Sequence, residues 1–308
     1  MNSYGLALLL LCQLSFALDK ALEFPKSFPH PDSQQIQKRG KPAAANIVFK
    51  STDGGQTWQD ISEGLPEGAQ AEDIIEKDRE LYIRAGNEIY HGKPTSTAPF
   101  WQKESFPNEH RSNVWSPTYT NFQHKGVNTV FETAGGTVFI GCNNGLFKST
   151  TNGETWKQVH TGGWVMKLVE SNGVLMATSQ SGILRSTDDG ENWDLVIREG
   201  GVGIAVERIK GGFAAITYNT ESMTRRVRTS YDGGKIWQSI DAGLPATASI
   251  ASIIQVGEYF FCGHPDGIFR SSDQGKTWKL LLPSIENKVF NLSVSGNAIY
   301  AIPRDGGC

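Results

Sequence analysis

The chain has 308 residues, of which 38% are hydrophobic, and its formal net charge is −3. This length and apolar content are enough for one large folded core. The slight acidity and the lack of a dominant basic stretch argue against nucleic acid as the main partner.

The N-terminal residues have the pattern of a secretory signal peptide. An apolar run covers Leu6–Leu11 and continues to Phe16, and small residues flank Phe16 at the positions that a signal peptidase reads. We predict a signal peptide over residues 1–17, an irregular segment rich in Pro, Gln, Ser and Lys over 18–44, and one domain over 45–308. The apolar run is too short for a membrane span and no other stretch is long enough, so we expect a secreted or periplasmic protein.

From residue 51 onward one eight-residue motif recurs with the same spacing of Ser, Asp, Gly and Trp. Asp and Ser can hydrogen-bond to nearby backbone groups and Gly supplies a positive φ, so the motif predicts a tight turn between antiparallel strands. Two copies are degraded, because Ile236 replaces the Thr of the motif in one and Thr151 replaces the Asp in the other. The five copies are Ser51–Trp58, Ser149–Trp156, Ser186–Trp193, Ser230–Trp237 and Ser271–Trp278.

The motif resembles the Asp-box, also called the BNR repeat, of the sialidase superfamily and of many non-enzymatic β-propellers. In that family the box is a structural turn that lies away from the ligand-binding face. The resemblance therefore implies a structural role for the box residues instead of catalysis or metal binding. These residues are Asp53, Trp58, Trp156, Asp188, Trp193, Asp232, Trp237, Asp273 and Trp278.

The spacing of the box tryptophans predicts the number of repeats. Successive intervals are 98, 37, 44 and 41 residues, so the first interval should conceal a repeat that has lost its box. Trp101 fits this gap, since Gln102 follows it as Gln59 follows Trp58. A period of about 40 residues with four short strands in each unit is typical of a propeller or a solenoid.

The two ends of the chain supply complementary halves of one repeat. Val289–Arg304 offers two strands, and Asn46–Ile61 offers the other two with a box between them. Pairing Ile47–Lys50 with Ile299–Ile302 would close a ring and remove the open edges of a linear array. We therefore predict an all-β, six-bladed β-propeller with Asp-box turns, closed by its terminal half-blades. A five- or seven-bladed ring would need a different division of the interval between Trp58 and Trp156.

Three cysteines follow the predicted signal peptide, and they do not form a disulfide scaffold. Cys142 and Cys262 fall in separate repeats, whereas Cys262 and Cys308 are compatible with one bridge; free buried thiols are the alternative. The sequence has no His or Cys cluster with metal-ligand spacing and no phosphate-binding Gly loop. We expect no metal and no cofactor.

The resemblance to propellers implies a ligand site over the central channel, on the face opposite the boxes. The longest connection on that face is Pro107–Gly126, between repeats two and three. Its side chains could stack on sugar rings or grip a peptide, or they could fold the loop over a small core of its own. The ligand-binding candidates are His110, Arg111, Trp115, Tyr119, Phe122 and His124.

Other polar turns on that face are weaker candidates, because polar residues are common in turns of any kind. Repeat five also has an enlarged insertion, Tyr218–Thr224, before a basic strand. The polar turn residues are Asn143, Asn144, Ser179, Gln180, Tyr218 to Glu221, His264 to Asp266, Arg304 and Asp305.

Two functions compete. The first is an exported ligand-binding or scaffold propeller that takes a glycan or a protein as a monomer. It is similar to the non-enzymatic BNR-repeat proteins of the photosystem assembly-factor and sortilin types.

The second function is a glycoside hydrolase of sialidase type; another glycosidase or a lyase is a further alternative. Family sialidases use three arginines for the substrate carboxylate, a Tyr nucleophile with a Glu, and an Asp acid/base, and their first Arg lies in an F/Y-R-I-P motif. This chain lacks that motif, and Ile302-Pro303-Arg304 inverts it near the other end. The catalytic candidates are Tyr218, Glu221, Arg225, Arg84 and Arg304.

Overall fold

The computed structural model describes residues 45–77, 80–85, 88–93, 100–104, 126–198 and 201–305. All regular elements in these ranges are β-strands. In chain order they are β1 (Phe49–Ser51), β2 (Gln59–Asp60), β3 (Ala71–Lys77), β4 (Glu80–Ala85), β5 (Glu88–Gly92), β6 (Gln102–Lys103), β7 (Val127–Glu132), β8 (Val138–Cys142), β9 (Gly145–Ser149), β10 (Lys157–His160), β11 (Leu168–Ser171), β12 (Val174–Ser179), β13 (Gly182–Ser186), β14 (Asp194–Ile197), β15 (Gly201–Ile209), β16 (Gly212–Asn219), β17 (Thr224–Ser230), β18 (Gln238–Ser239), β19 (Ser252–Val256), β20 (Tyr259–His264), β21 (Gly267–Ser271), β22 (Lys279–Pro283), β23 (Val289–Ser295) and β24 (Ala298–Arg304).

The strands form six antiparallel sheets of four strands each, and every sheet is one blade. Blades two to six are each continuous in sequence and contain β3 to β6, β7 to β10, β11 to β14, β15 to β18 and β19 to β22. Within a blade the four strands are called a, b, c and d in chain order. The a strands lie at the hub, since β11, β15, β19, β23 and β3 each contact the a strand of a neighbouring blade. The six-bladed propeller predicted from the repeats is confirmed.

Blade one is built from both ends of the domain. Strands β23 and β24 supply a and b, while β1 and β2 supply c and d. The register pairs Phe49 with Ala301, Lys50 with Tyr300 and Ser51 with Ile299. The predicted pairing of the half-blades is therefore confirmed, and it gives β24 the hydrogen-bonding neighbour that it would otherwise lack.

Apolar clusters lie between adjacent blades. Between blades one and two, Tyr300 packs with Tyr90, Phe100 and Trp101. Trp101 has only 1% of its surface exposed, and it directly precedes strand d of blade two, as the box tryptophans precede their d strands. The prediction that blade two is a repeat that lost its box is confirmed.

One predicted detail differs from the structure. Both ends of the enlarged insertion of repeat five are strand, because Tyr218 pairs with Arg225 and Asn219 with Thr224, which leaves residues 220–223 as the turn. Strands β16 and β17 are therefore eight and seven residues long, and the hairpin lengthens the sheet.

The two cysteines in the described residues, Cys142 and Cys262, are free and buried. Free thiols were the alternative to a bridge between Cys262 and Cys308, and Cys308 lies outside the described residues. Burial raises the pKa of the Cys142 thiol to about 11, so the thiol stays protonated at neutral pH. Within the described ranges, no helix has the length and hydropathy needed to cross a membrane.

Candidate functional site

The two ends of the propeller channel carry different kinds of connection. Because neighbouring strands in a blade are antiparallel, the b-to-c and d-to-a connections share one face of the ring. The a-to-b hairpins and the c-to-d turns share the other. All five boxes are c-to-d turns, as predicted. We call the two sides the loop face and the box face.

Each box is closed by its own hydrogen bonds. In blade six, Ser271 Oγ accepts from the Gly275 N–H at 2.8 Å and donates to Asp273 Oδ1 at 2.8 Å. The Thr277 N–H donates to Asp273 Oδ1 at 2.9 Å, and Thr277 Oγ1 donates to Oδ2 at 2.6 Å. These bonds from Thr277 and Ser271 lower the pKa of Asp273 to about 2. The box carboxylate of Asp273 is thus fixed within the turn.

The box tryptophans anchor the turns from below. The indole Nε1 of Trp58, Trp193 and Trp237 donates to the carbonyl of the Gly in the same box, at 3.0 to 3.1 Å. Trp278 differs, because its Nε1 donates at 2.7 Å to the carbonyl of Ile240 in blade five. This tryptophan therefore joins two blades as well as supporting its own turn.

A contact between blades on the box face was not predicted from the sequence. The residue directly before the box Ser is Lys or Arg in four of the five boxes, and three of these cations reach the box of the next blade. Lys148 Nζ donates to the Asp189 carbonyl at 2.7 Å and to Glu191 Oε1 at 2.8 Å. Arg185 Nε donates to the Gly233 carbonyl at 2.6 Å, and Arg270 Nη1 donates to the Gly54 carbonyl at 2.9 Å. We call these residues latch cations.

The fourth latch cation, Lys50, faces blade two, which has no box. Its Nζ lies 5.9 Å from the centre of the Phe100 ring and 6.0 Å from that of Tyr300. Aromatic faces attract cations, so the Phe100 ring of blade two occupies the place that a box takes at the other latched interfaces. Burial lowers the pKa of the Lys50 ammonium. The recurring Lys or Arg before the box Ser is the sequence signal that could have revealed the latches.

On the loop face, two apolar side chains stand at the start of neighbouring a strands. Val127 is 46% exposed at the first position of β7, and Met166 is 48% exposed just before β11. The two segments are joined, since Asn128 Nδ2 donates to the Val165 carbonyl at 3.3 Å. Because a strands line the hub, this apolar pair lies at the mouth of the channel between blades three and four.

The candidate hydrolase residues on blade five lie together but already have other partners. Tyr218 and Arg225 are opposite each other on β16 and β17. The Tyr218 hydroxyl donates to Met223 Sδ at 2.8 Å, and Arg225 Nη1 donates to the Ile250 carbonyl. Glu221 is exposed in the turn, where its N–H donates to Asn219 Oδ1 at 2.9 Å. In this arrangement Arg225 supports the segment that leads into blade six.

The other two candidate arginines lie on different blades. Arg84 is on β4 in blade two, and Arg304 is the exposed last residue of β24 in blade one. Arg225 is in blade five, so the three guanidinium groups belong to three separate sheets.

The polar turns of the loop face mostly hold their own backbone. Asn143 Oδ1 accepts from Asn128 Nδ2 at 3.1 Å, and Ser179 Oγ donates to the Gly182 carbonyl at 3.0 Å. His264, which is 1% exposed, accepts from the Asp266 N–H through Nδ1 at 3.1 Å. Its Nε2 lies 3.0 Å from the Pro245 carbonyl, to which it donates because Nδ1 is the acceptor.

A cavity of about 280 Å³ opens on the loop face of blade five. It lies between the start of β17 and residues 241–250, which lead into blade six. Leu244, Pro245 and Ile250 form apolar walls, and the polar lining includes Arg225, Arg226 and Asp241.

An ion pair stands in the wall of this cavity. Arg226 donates to Asp241 through Nε at 2.8 Å and Nη2 at 3.1 Å, and Nη2 also donates to Ser239 Oγ at 2.6 Å. Burial alone would raise the pKa of Asp241, but the hydrogen bonds from Arg226, Ser239 and the Val227 N–H lower it below its ordinary value. The guanidinium is therefore held in a fixed orientation at neutral pH.

Comparison with known families agrees with this geometry. The family model described as BNR/Asp-box repeat matches residues 49–60, which contain the first box. The other four boxes lie on the same face of the six blades. The chain is a six-bladed β-propeller with BNR/Asp-box repeats. No curated protein sequence is significantly similar to this propeller.

Solved structures resemble the propeller only distantly. An ancestral GH74 enzyme has 18% identity and a TM-score of 0.43 over 50% of this chain and 24% of its own. The extracellular domain of a protein assigned as a one-component system in B. thetaiotaomicron has 11% identity and a TM-score of 0.49, over 88% of this chain and 39% of its own. YCF48 from Cyanidioschyzon merolae has 12% identity and a TM-score of 0.42, over 84% and 89%.

This Asp-box propeller spans about a quarter of the first of these structures and about two fifths of the second. Likeness at this level carries no information on function. The candidates of the Pro107–Gly126 loop, namely His110, Arg111, Trp115, Tyr119, Phe122 and His124, lie outside the described residues. Within the described ranges, no group of three or more His, Cys, Asp or Glu is placed to hold a metal ion.

Proposed function

We propose that this propeller is a binding module whose loop face recognises a protein ligand. The observation that carries the proposal is the exposed apolar pair Val127 and Met166 at the channel mouth. Apolar side chains that stand together on a surface are typical of the centre of a protein interface. The pair lies on the face opposite the boxes, so binding there leaves the structural turns undisturbed.

The Pro107–Gly126 loop belongs to this proposal as a recognition element. Gly126 directly precedes Val127, so the loop joins the chain beside the apolar pair. Long connections in compact domains are commonly functional, and Trp115, Tyr119 and Phe122 would add aromatic contact area to the same surface. A glycan is the other class of ligand that such aromatics would accept.

The positions of the candidate hydrolase residues support a binding role over catalysis. A carboxylate clamp needs guanidinium groups that a substrate can reach, whereas Arg225 is buried and donates to the Ile250 carbonyl. Tyr218 and Arg225 each have a hydrogen-bond partner within the protein. We also propose that the protein is exported through the signal peptide predicted over residues 1–17 and acts as a monomer.

A capture experiment with matched surface variants tests the proposed function. The parent protein and a Val127→Ser, Met166→Ser variant would each be immobilised and exposed to extracts of the source cells and to a glycan array. The control is Tyr231→Ser, Ile236→Ser, which removes a similarly exposed apolar pair from the box face.

We expect a captured protein that the control retains and that the Val127→Ser, Met166→Ser variant loses. A Trp115→Ala, Tyr119→Ala variant should lose it as well and keep its β-rich circular dichroism. Loss of binding by the box-face control, or capture of glycans without any protein, would contradict the proposal.

A further inference from the structure

The cavity on blade five is separate from the channel mouth and has a different chemistry. It lies on the side of blade five that faces blade six, whereas Val127 and Met166 belong to blades three and four. Its volume of about 280 Å³ is just below the usual range for small-molecule pockets. A ligand of roughly ten non-hydrogen atoms or fewer would fit, if each occupies about the volume of one water molecule.

Hydrogen bonds to neighbouring elements hold the cavity walls in place. The Arg225 N–H donates to the Thr247 carbonyl at 2.8 Å, and the Leu244 N–H donates to the Asp241 carbonyl at 3.0 Å. His264 Nε2 donates to the Pro245 carbonyl at 3.0 Å. The wall segment is thus tied to β17 and to blade six as well as to itself. Because the walls are already ordered, a ligand would not have to order them on binding.

The same sequence element recurs in blade one with different side-chain contacts. Ile61 to Pro66 follows β2 as Ile240 to Pro245 follows β18, with Gly-Leu-Pro at the end of both. In blade one, Ser62 Oγ accepts directly from the N–H groups of Ile47 and Val48, at 2.9 and 3.0 Å. In blade five, Asp241 stands at the position of Ser62 and binds Arg226 as well as the Val227 N–H. The ion pair between Arg226 and Asp241 is therefore a feature of blade five, and the repeat does not require it.

The lining combines apolar walls with cationic groups. Leu244, Pro245 and Ile250 offer aliphatic surface, and the lining also contains Arg225, Arg226 and Asp241, of which Arg225 donates to the Ile250 carbonyl. A guanidinium forms its strongest hydrogen bonds with carboxylates. Arg226 is oriented by Asp241 and Ser239, and its side chain is 45% exposed, so a ligand can reach it.

From these observations we propose that the cavity binds a small aliphatic carboxylate. The hydrocarbon group lies against Leu244, Pro245 and Ile250, and the carboxylate accepts hydrogen bonds from Arg226. This site is additional to the protein-binding surface proposed above and rests on different residues, so either proposal can fail without the other.

Titration of the full-length protein by ¹H–¹⁵N nuclear magnetic resonance tests the site. The probes are 3-methylbutanoate, its uncharged amide 3-methylbutanamide, and acetate, which lacks the branched hydrocarbon group. We expect 3-methylbutanoate to shift the amides of residues 224–226 and 241–250 saturably, with a Kd on the order of millimolar for so small a ligand. The amide should bind about fivefold more weakly because its hydrogen bonds are not charge-assisted. Acetate should bind more weakly than the acid because it buries little apolar surface.

Two variants connect the binding to the cavity. Ala246→Trp places a large side chain at the exposed edge of the cavity and should abolish the shifts, while Ser272→Trp, at an exposed position on the box face, should not. Arg226→Gln should make the affinities for the acid and the amide equal. Unsaturable shifts, shifts centred on other parts of the surface, equal affinities of the parent for acid and amide, or unchanged binding by a folded Ala246→Trp variant would each overturn the proposal. If that variant does not fold, the Arg226→Gln result decides.

Discussion

The contact between blades three and four and the contact between blades five and six solve the same packing problem in different ways. At the first, the latch cation Lys148 crosses to the next box and binds Asp189 and Glu191. At the second, Thr229 stands at the position of the latch cation. There the Trp278 indole instead donates across the interface to the Ile240 carbonyl.

The chain after Ile240 also packs on the same tryptophan. Leu244 belongs to the apolar cluster that Trp278 joins, and a Cβ added at Gly243 would lie 3.3 Å from the indole. At this interface, which has no latch cation, the segment after Ile240 therefore covers Trp278 on one side. Its other side forms a wall of the cavity. Departures from a repeat signature often coincide with individual functions, and here the interface between blades five and six, which has no latch cation, lies beside the candidate ligand cavity.

Replacing Trp278 by Ala should have the largest effect, because this tryptophan stands in for a latch. We expect a loss of about 3 kcal/mol in the free energy of unfolding for so large an aromatic side chain. Trp193→Ala is the matched control, since Trp193 is also partly buried but its indole donates within its own box. Because Trp278→Ala additionally leaves the Ile240 carbonyl without its indole partner, its cost should exceed that of the control by about 1 kcal/mol. Chemical denaturation of both variants provides the measurement, and an equal or larger loss for Trp193→Ala would show that the two interfaces are equivalent.

Much of the fold could be predicted because the repeat is encoded locally. Ser, Asp and Gly at fixed spacing define the turn by short-range hydrogen bonds, so the sequence around Asp53 or Asp273 predicts its own structure. Closure followed from matching half-repeats, and the pairing of Lys50 with Tyr300 confirmed it. Blade two could be predicted although it has no box, because it retains a tryptophan, Trp101, at the expected position. This side chain is buried in the structure.

Features that depend on two distant segments were missed. Lys148 and Glu191 are 43 residues apart, and only the geometry of adjacent blades shows that the cation before each box meets the next one. The cavity arises where β17 meets the chain after Ile240, and neither segment is unusual by itself. The roles of Trp115 and Tyr119 remain predictions, since the aromatic loop lies outside the described residues.

The latch can be removed by Lys148→Met, which keeps the length of the side chain and deletes its charge. Lys148 is 5% exposed, whereas Asp189 and Glu191 are half exposed and can be hydrated once the cation is gone. We therefore expect the free energy of unfolding to fall by about 1 to 2 kcal/mol. The loss of the hydrogen bonds from Lys148 should contribute more to this change than the burial of unpaired charge. An unchanged unfolding midpoint in urea at pH 7 would show that the Lys148 latch does not stabilise the fold.

The pH dependence of this variant provides an independent check. Hydrogen bonds from Lys148 and Lys157 lower the pKa of Glu191 from 4.5 to about 2. A carboxyl group with a lowered pKa stabilises the fold above its ordinary pKa, and this contribution is lost as the pH falls towards 2. Since the box aspartates are common to both proteins, thermal unfolding of Lys148→Met should depend less steeply on pH between about 5 and 2 than that of the parent. Parallel curves would mean that Lys148 does not hold Glu191 ionised.

The smallest effect is expected at the box of blade five, and it should be stabilising. Asp232 Oδ1 accepts from the Ser230 hydroxyl and from the N–H groups of Lys235 and Ile236. Ile236 cannot supply the hydroxyl with which Thr57 and Thr277 donate to their box carboxylates at 2.6 Å, and its side chain is 67% exposed. Ile236→Thr should therefore add one hydrogen bond and raise the free energy of unfolding by about 0.5 to 1 kcal/mol.

The reverse substitution, Thr277→Ile, is the control for this prediction and should cost a similar amount, because it removes the same bond from the box of blade six. The Thr hydroxyl should also lower the pKa of Asp232 further, which carboxyl-carbon magnetic resonance can follow. If Ile236→Thr instead destabilised the protein, Ile236 would have to make an apolar contact that offsets its exposure. The box of blade five would then differ from the others because Ile236 is needed for packing. The interface between blades five and six, which has no latch cation, would then depend on side-chain packing at Ile236 as well as at Trp278.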